Sequence, residues 1–303
     1  VDGIFDPADT RPLSGSNTDA KILAMMLAAS INTRIDDWAC SAQRGFIRKR
    51  VMIQNVIDIE SHAIARAFGT TQSSALIFFD FAAAFPSVAR QIIWIALEAV
   101  GIPFFVIAAI RSLYLNNLHF IPSFNGLMYA FTAYSGVRQG CPLSSTIFVL
   151  VTDCIFIALL QCVGAMDLLR GYADDIGMVI ADIWNSGQLI SQMFDCIARV
   201  SNLHLNAKKC IFIPLWAFDN EDVLVKLRKC VPRWSSFMIK SFGKYLGFLI
   251  GPGAGNIEWD IICKKILEIA TRIASLGLPK LHSFMMFQNV WYFPIILSSL
   301  NFG

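Results

Sequence analysis

Residues 168–180 read LLRGYADDIGMVI, two apolar runs separated by the adjacent acids Asp174 and Asp175. Both runs are short and rich in aliphatic residues, which is typical of buried strands. The stretch therefore predicts a β-hairpin whose turn carries two carboxylates. Neighbouring carboxylates are costly to bury, and a divalent cation such as Mg²⁺ offsets that cost because it prefers oxygen ligands. An Asp-Asp pair also occurs on solvated turns, so the hairpin alone leaves metal binding and an ordinary turn open.

A second short strand pattern also ends in an acid. Residues 75–79 (ALIFF) are wholly apolar, follow the polar stretch TTQSS and lead into Asp80. Their length and composition predict a buried strand. Since Mg²⁺ is commonly held by one or two carboxylates together with substrate phosphates, Asp80 could complete a site with the two acids of the hairpin.

The rest of the chain alternates between helical and strand-like patterns. Apolar residues at helical spacing predict helices over residues 20–35, 51–67, 188–201 and 257–276, and over residues 88–115 with an interruption at Gly101-Ile-Pro103. Strands and loops are predicted for residues 112–137, and another short strand for residues 242–250. This order indicates an α+β fold with helices on one face of a mostly antiparallel sheet.

The composition is unusually apolar. The 303 residues are 55% hydrophobic and 16% charged, with a net charge of +3, which excludes an intrinsically disordered chain. Residues 144–166, with Asp153 as their one charge, and residues 282–303 are each long enough to cross a bilayer core of about 30 Å. Hydropathy alone therefore leaves a membrane protein open. The eight cysteines form no C-x-x-C pair, which favours reduced thiols in an intracellular compartment.

Seven segments, taken in order, resemble the blocks of the reverse transcriptase family. They are Arg11-Pro-Leu-Ser14 with Asn17 and Lys21, Gln43-Arg-Gly-Phe-Ile47 with Arg50 and Asn55, Phe79-Asp80-Phe-Ala-Ala-Ala84-Phe85, Ser135-Gly-Val-Arg-Gln139-Gly140-Cys-Pro142-Leu-Ser144, Tyr172-Ala-Asp174-Asp175, Leu203-His-Leu-Asn206-Ala-Lys-Lys209, and Tyr245-Leu-Gly247. The sequence is most similar to the reverse transcriptases of non-LTR (LINE-type) retrotransposons.

The resemblance implies a right-hand polymerase fold with fingers, palm and thumb. Residues 1–71 would be partial fingers, truncated at the N-terminus, residues 72–250 a palm with an inserted fingers segment, and residues 251–303 a partial thumb. The palm would combine an antiparallel sheet with helices. In this arrangement residues 144–160 form a buried palm helix, and no membrane is involved.

The resemblance also implies the chemistry, which is RNA-templated DNA synthesis by two-metal-ion nucleotidyl transfer. This reaction needs few protein groups beyond carboxylate ligands, because positioning and charge neutralisation provide most of the rate enhancement. Asp80 and Asp174 would be bridging ligands and Asp175 an auxiliary carboxylate. The cofactor would be two Mg²⁺ ions, for which Mn²⁺ could substitute.

Further site residues follow from the same resemblance. Phe85 would be a steric gate that excludes the ribose 2′-OH, with a core aromatic as the alternative. Gln139 and Gly140 would line the nascent base pair, and Tyr172 would lie beneath the primer or serve only as strand core. Arg11 would contact the triphosphate, for which its planar guanidinium is suited. Lys209 would be the general acid for pyrophosphate, with Lys208 as the alternative.

The partners implied are an RNA template, a DNA primer and dNTPs, in an intracellular ribonucleoprotein that is either nuclear or cytoplasmic. Basic residues in the stretches 44–50 and 226–244 could supply electrostatic attraction to phosphates. The sequence does not indicate an oligomeric state. A group II intron-type reverse transcriptase and a decayed RNA-binding copy of the same fold remain alternatives. Pro86 and Asn202, which depart from the family pattern, favour decay, whereas the three intact acids oppose it.

Overall fold

The computed structural model describes residues 15–285 except positions 70, 125, 256, 281 and 284. Arg11 and most of the apolar segment 282–303 lie outside the described residues. The predicted triphosphate contact and the end of the predicted thumb therefore lie outside the described residues.

Most helices of the described chain match the predicted helical patterns, whereas those at residues 35–38, 84–87 and 220–230 were not predicted. They are α1 (Thr18–Asn32), α2 (Ile35–Trp38), α3 (Met52–Ala67), α4 (Ala84–Ser87), α5 (Arg90–Ala99), α6 (Phe104–Tyr114), α7 (Ser144–Leu160), α8 (Ile183–Ser201), α9 (Asn220–Cys230) and α10 (Ile257–Ser275). The predicted interruption separates α5 from α6, where Gly101 adopts a left-handed φ of +76° and Pro103 precedes the new helix. Helix α8 begins at Ile183, earlier than predicted.

Strands of the described chain form a central sheet and two separate hairpins. They are β1 (Ala75–Phe79), β2 (Leu118–Ser123), β3 (Gly126–Thr132), β4 (Leu168–Tyr172), β5 (Asp175–Ile180), β6 (Ile211–Pro214), β7 (Met238–Ile239), β8 (Gly243–Tyr245) and β9 (Phe248–Ile250). The central sheet has the order β4-β5-β1-β6-β7 and is antiparallel except between β6 and β7. The predicted α+β class is confirmed. The single strand predicted at residues 242–250 is instead the hairpin β8–β9.

The central sheet is covered on both faces, so the prediction of helices on one face only is wrong. In β1, Ile77 and Phe79 belong to the core that includes α5, α7 and α8, whereas Leu76 and Phe78 belong to a second cluster with α3 and the hairpin β8–β9. All five residues of β1 are buried. A continuous apolar run without alternation is typical of a strand buried on both faces.

The most apolar stretch of the chain forms α7, as expected for a palm helix. Twelve of its seventeen residues are buried, and it contacts α1, α5, α8 and β4. Its one charged residue, Asp153, accepts a hydrogen bond from the Cys40 backbone N–H at 2.9 Å. No helix in the described ranges is both long enough and apolar enough to cross a membrane.

Candidate active site

Three carboxylates lie at one edge of the central sheet. Asp80 directly follows β1, and Asp174 and Asp175 lie in the turn between β4 and β5, at residues 172–175, which we call the acidic turn. The register between β1 and β5 pairs Phe79 with Ile176, which brings the end of β1 beside the acidic turn. Antiparallel pairing thus joins acids that are far apart in sequence.

The donor chemistry of this edge suits a hard divalent cation. Asp80 and Asp174 are half-buried and Asp175 is exposed, and all three offer the carboxylate oxygens that Mg²⁺ prefers. Within the described ranges, no three His, Cys, Asp or Glu side chains are grouped closely enough to be identified as a metal site. The sheet therefore brings the predicted ligands to one edge without gathering them into a closed ligand set.

Asp80 is held by the segment that carries the predicted general acid. Its carbonyl accepts the backbone N–H of Asn206 at 2.7 Å, and the backbone N–H of Ala82 donates to His204 at 2.8 Å. Burial raises the pKa of the Asp80 carboxyl above its ordinary value of 3.8, and the positive charge of Lys209 opposes this rise. The structure therefore places Lys209 within electrostatic reach of Asp80.

Asp80→Asn is expected to increase the free energy of unfolding at pH 7 in metal-free buffer. A raised pKa means that the folded state holds its proton more tightly than the unfolded chain, so ionisation of Asp80 costs folding free energy. That cost is absent well below pH 3.8, grows as the pH rises from there to the raised pKa, and stays constant above it. Urea unfolding followed by circular dichroism at pH 7 and pH 3 measures the difference.

The matched control for this prediction is Asp37→Asn, since the exposed carboxylate of Asp37 pairs with Arg34 at 3.6 Å. An exposed ion pair of this kind contributes little, so its loss should change the unfolding free energy only slightly. Lower stability of Asp80→Asn at pH 7, or an equal gain at pH 3, would show that the Asp80 charge is not destabilising.

The predicted gate residue, Phe85, lies between the core and the surface. Its half-buried ring stacks on Phe148 of α7, with ring centroids 4.3 Å apart. Its carbonyl accepts the Val137 N–H at 2.9 Å, and the Ser135 hydroxyl donates to the Pro86 carbonyl at 3.0 Å. These bonds attach the segment 135–144 to the short helix α4, just beyond Asp80.

Gln139 and Gly140 belong to this attached segment. Gln139 is half-buried, and Gly140 is exposed with a left-handed φ of +85° that favours glycine. The preceding residue, Arg138, donates to the Leu113 carbonyl and lies over the ring of Tyr114 at 5.2 Å. The segment thus connects Gln139 and Gly140 to the sheet edge through Phe85.

Tyr172 opens the acidic turn and pairs with Asp175 across the hairpin. The side chain is half-buried, and its ring centroid lies 5.8 Å from that of Phe46. Part of the ring therefore faces solvent at the same edge as the carboxylates, which is compatible with either predicted role.

Comparison with known proteins identifies the family. The sequence model described as "Reverse transcriptase (RNA-dependent DNA polymerase)" matches residues 4–250, most of the chain. The chain belongs to the reverse transcriptase family. A curated relative is the retrovirus-related Pol polyprotein from type-2 retrotransposable element R2DM of Drosophila melanogaster, 26% identical over 214 residues. The match covers 68% of this chain and 20% of the relative, so this reverse transcriptase chain spans about a fifth of that polyprotein. The predicted resemblance to non-LTR reverse transcriptases is confirmed.

Two solved telomerase structures resemble this reverse transcriptase chain in fold. Apo telomerase of Candida tropicalis, truncated from its C-terminal domain, gives a TM-score of 0.54 at 11% identity, covering 76% of this chain and 43% of the other. Telomerase of Candida albicans in complex with a TWJ fragment of telomeric RNA gives 0.51 at 12% identity, covering 76% and 36%. At such identities the likeness concerns the fold alone. The predicted right-hand polymerase fold is confirmed.

Buried polar residues behind the acidic turn were not assigned a role by the sequence analysis. Asn55 is fully buried, and its Nδ2 donates to the Gly171 carbonyl at 2.9 Å and to the Tyr245 hydroxyl at 3.3 Å. The Tyr245 hydroxyl donates to the Asp175 carbonyl at 3.2 Å, and the Arg44 guanidinium donates to the Asn55 side-chain oxygen Oδ1 at 2.9 Å. The sequence does carry a signal for Asn55, because its spacing places this polar residue on the apolar face of α3.

In the basic stretch 44–50, predicted to attract nucleic-acid phosphates, Arg44 and Arg50 instead form ion pairs and hydrogen bonds within the chain. Arg44 and Arg170 both pair with Asp58, at 2.8 and 2.7 Å. Burial opposes ionisation of Asp58, but the hydrogen bonds and charges of Arg170 and Arg44 outweigh it and lower the pKa. Arg50 donates to backbone carbonyls, including that of Ala39 at 2.9 Å. By contrast, the six basic side chains between residues 226 and 244 are exposed: Lys226, Arg228, Lys229, Arg233, Lys240 and Lys244.

Proposed function

We propose that this chain catalyses RNA-templated DNA synthesis by metal-dependent nucleotidyl transfer, as the reverse transcriptase of a retroelement. The observation that carries the proposal is the meeting of Asp80, Asp174 and Asp175 at one sheet edge, inside the segment that matches the reverse transcriptase family. The matched relative is a Pol polyprotein from a retrotransposable element, which favours this origin over a group II intron.

Asp80 and Asp174 would be the main ligands of two Mg²⁺ ions, with Asp175 as an auxiliary carboxylate. When bound, such ions would neutralise the charge on the attacking and leaving oxygens of an in-line displacement. In that displacement the primer 3′-hydroxyl loses its proton to water, its oxygen forms a bond to the α-phosphorus of the dNTP, and the bond from that phosphorus to the pyrophosphate oxygen breaks. The half-buried setting of Asp80 and Asp174 lowers the local dielectric and strengthens their hold on a cation.

The leaving pyrophosphate requires a proton, and we assign its donation to Lys209. Lys208 and Lys209 are both exposed, so burial keeps neither from contact with a bound nucleotide. The charge of Lys209 also acts on Asp80, which supports Lys209 over its neighbour.

The remaining substrate contacts follow the geometry around Asp80. Phe85 lies five residues beyond Asp80 and would face the sugar of the incoming nucleotide, while Gln139 and Gly140 would line the nascent base pair. Tyr172 would support the primer end. Arg11 would contact the triphosphate, on the resemblance alone.

Phe85→Ala is expected to relax sugar discrimination. Removing the ring would create room for a 2′-hydroxyl, and exclusion by one apolar group is worth roughly 10–200-fold. The ratio of kcat/KM for dTTP to that for UTP, measured by primer extension, should fall by about that factor. Phe218→Ala, which truncates another half-buried phenylalanine before α9, is the control and should leave the ratio unchanged. An unchanged ratio in Phe85→Ala would refute the gate.

The domain organisation is part of the same proposal. Residues 1–71 would be partial fingers, residues 72–250 the palm with an inserted fingers segment, and residues 251–303 a partial thumb. The partners would be an RNA template, a DNA primer and dNTPs, in a nuclear or cytoplasmic ribonucleoprotein. The exposed basic side chains between residues 226 and 244 would supply phosphate contacts, whose contribution decreases as salt is added.

The test is incorporation of dTTP on a poly(rA)/oligo(dT) duplex by the 303-residue chain. We expect incorporation that requires Mg²⁺ or Mn²⁺ and stops on addition of EDTA. A chain that binds the duplex but incorporates no dTTP with either ion would instead be a decayed RNA-binding copy, and the enzymatic proposal would be wrong.

A further inference from the structure

Gln43 lies directly behind the acidic turn and is fully buried. Its side-chain oxygen accepts two backbone N–H groups, from Ala173 at 3.0 Å and from Gly45 at 2.8 Å. Its side-chain nitrogen donates to the Thr152 hydroxyl of α7 at 2.9 Å. Because both of its backbone partners are donors, the amide oxygen must face the turn, so the contacts themselves fix the orientation of the amide.

The turn residue that Gln43 holds has an unfavourable backbone conformation. Ala173 adopts a φ of +57°, in the left-handed region, where a residue with a Cβ pays roughly 1–2 kcal/mol. Glycine and asparagine are the residues that tolerate this region readily. Ala173 immediately precedes Asp174, so any relaxation of this strained residue changes the direction in which the Asp174 carboxylate leaves the turn.

The loop that carries Gln43 is bonded to the strand just before this turn and is in close contact with the turn itself. Backbone bonds join Gly171 to this loop on both sides, from its N–H to the Ala42 carbonyl at 2.8 Å and from the Arg44 N–H to its carbonyl at 2.9 Å. A Cβ on Gly45 would lie 2.3 Å from the Ala173 nitrogen, so the two backbones are in direct contact. Gln43 is thus the side chain that ties the strained turn to α7.

We propose that Gln43 is a positioning residue for the metal-binding geometry of the acidic turn. By accepting the Ala173 N–H, it keeps the turn in its left-handed conformation and so orients Asp174 towards Asp80. Groups that orient metal ligands without touching the metal typically contribute 10–100-fold to metal affinity or activity. The role in catalysis rests on the proposed function, whereas the effect on cation binding can be measured without turnover.

The experiment compares Mn²⁺ binding by the wild type and by Gln43→Met, which keeps the side-chain length but removes the acceptor. The free Mn²⁺ signal in electron paramagnetic resonance is titrated in the presence of dTTP and a poly(rA)/oligo(dT) duplex whose primer ends in a 3′-deoxy nucleotide, so that no chemistry occurs. We expect the dissociation constant for Mn²⁺ to rise roughly 10–100-fold. The half-saturating Mg²⁺ concentration in the incorporation assay should rise in parallel.

Two further variants separate positioning from general stability. Thr146→Val removes another side-chain hydrogen bond of α7, a part-buried one to Asn32 at 3.1 Å, and should leave Mn²⁺ affinity unchanged. Gln43→Glu keeps an oxygen acceptor for Ala173 and Gly45, and should retain more of the affinity than Gln43→Met. Gln43→Glu also provides the test if Gln43→Met does not fold. A Gln43→Glu protein that binds Mn²⁺ tenfold or more weakly than the wild type would overturn the inference.

The inference is wrong if Gln43→Met binds Mn²⁺ like the wild type, or if Thr146→Val weakens binding equally. Failure of the proposed function has a different signature. In that case the wild type and Gln43→Met would still differ in Mn²⁺ affinity, but neither would extend a primer with a free 3′-hydroxyl.

Discussion

Asp174→Asn is expected to reduce the rate of nucleotide incorporation by at least about 10³-fold. Cations held by this carboxylate would contribute several kcal/mol of charge stabilisation in the transition state, and each 1.36 kcal/mol corresponds to a factor of ten. The amide keeps the size and shape of the side chain but supplies no negative charge. Single-turnover primer extension on poly(rA)/oligo(dT) measures the rate, and circular dichroism checks that the fold is retained.

The control for this prediction is again Asp37→Asn, an acid-to-amide change at an exposed position of helix α2. It should extend the primer at the wild-type rate. If Asp174→Asn retains more than about a tenth of the wild-type rate, the acidic turn does not hold the catalytic cations and the proposed mechanism fails.

Gly171→Ala is expected to lower the free energy of unfolding by about 2–3 kcal/mol, the upper part of the usual range for overpacking a core. A Cβ at Gly171 would lie 2.0 Å from Cζ of Phe156, whose ring is fully buried in α7 beneath β4. Since neither backbone nor ring can yield freely in a close-packed interior, β4 must shift. The same shift would move the acidic turn, so primer extension should slow as well. Urea unfolding at pH 7 gives the stability change.

A second-site change provides the decisive comparison for Gly171→Ala. Phe156→Leu shortens the side chain that the new methyl group would meet. As a single variant it should lower the free energy of unfolding, but combined with Gly171→Ala it should recover part of the loss that Gly171→Ala causes. Gly164→Ala is the control, because a Cβ there would make only an ordinary contact of 3.4 Å with Asp167. Additive losses in the double variant would contradict the clash described here.

The strands and helices nearest the site could be predicted from the sequence, because their patterns are local. The apolar runs on either side of Asp174 and Asp175 form β4 and β5, and the run before Asp80 forms β1. The most apolar stretch forms α7; its hydropathy alone leaves a membrane span open, whereas the resemblance to reverse transcriptases predicts the buried helix that is observed. What the sequence could not show is that α3 covers the second face of the sheet, since amphipathic periodicity does not identify the surface that a helix contacts.

The residues of the candidate site also fall into those that the sequence predicts and those that it does not. The acids stand out because they interrupt apolar strands, and family resemblance assigned them a role. The contacts of Gln43, Asn55 and Tyr245 with the hairpin join residues 70 to 130 positions apart, so no local pattern reveals them. Arg44 and Arg50 were predicted to belong to a basic patch for nucleic acid, yet both bind groups within the chain. The prediction was wrong because charge patterning alone does not distinguish a solvated cation from one that pairs with groups of the fold.

Primer extension on a heteropolymeric RNA template with one dNTP omitted tests whether this chain copies RNA into DNA. We expect the 303-residue wild type to extend a DNA primer and to stop immediately before the template position that requires the missing nucleotide, and restoring this nucleotide should complete the product. Extension that continues past that position, extension that proceeds equally without the RNA template, or the absence of any extended primer would show that the chain is not an RNA-templated DNA polymerase.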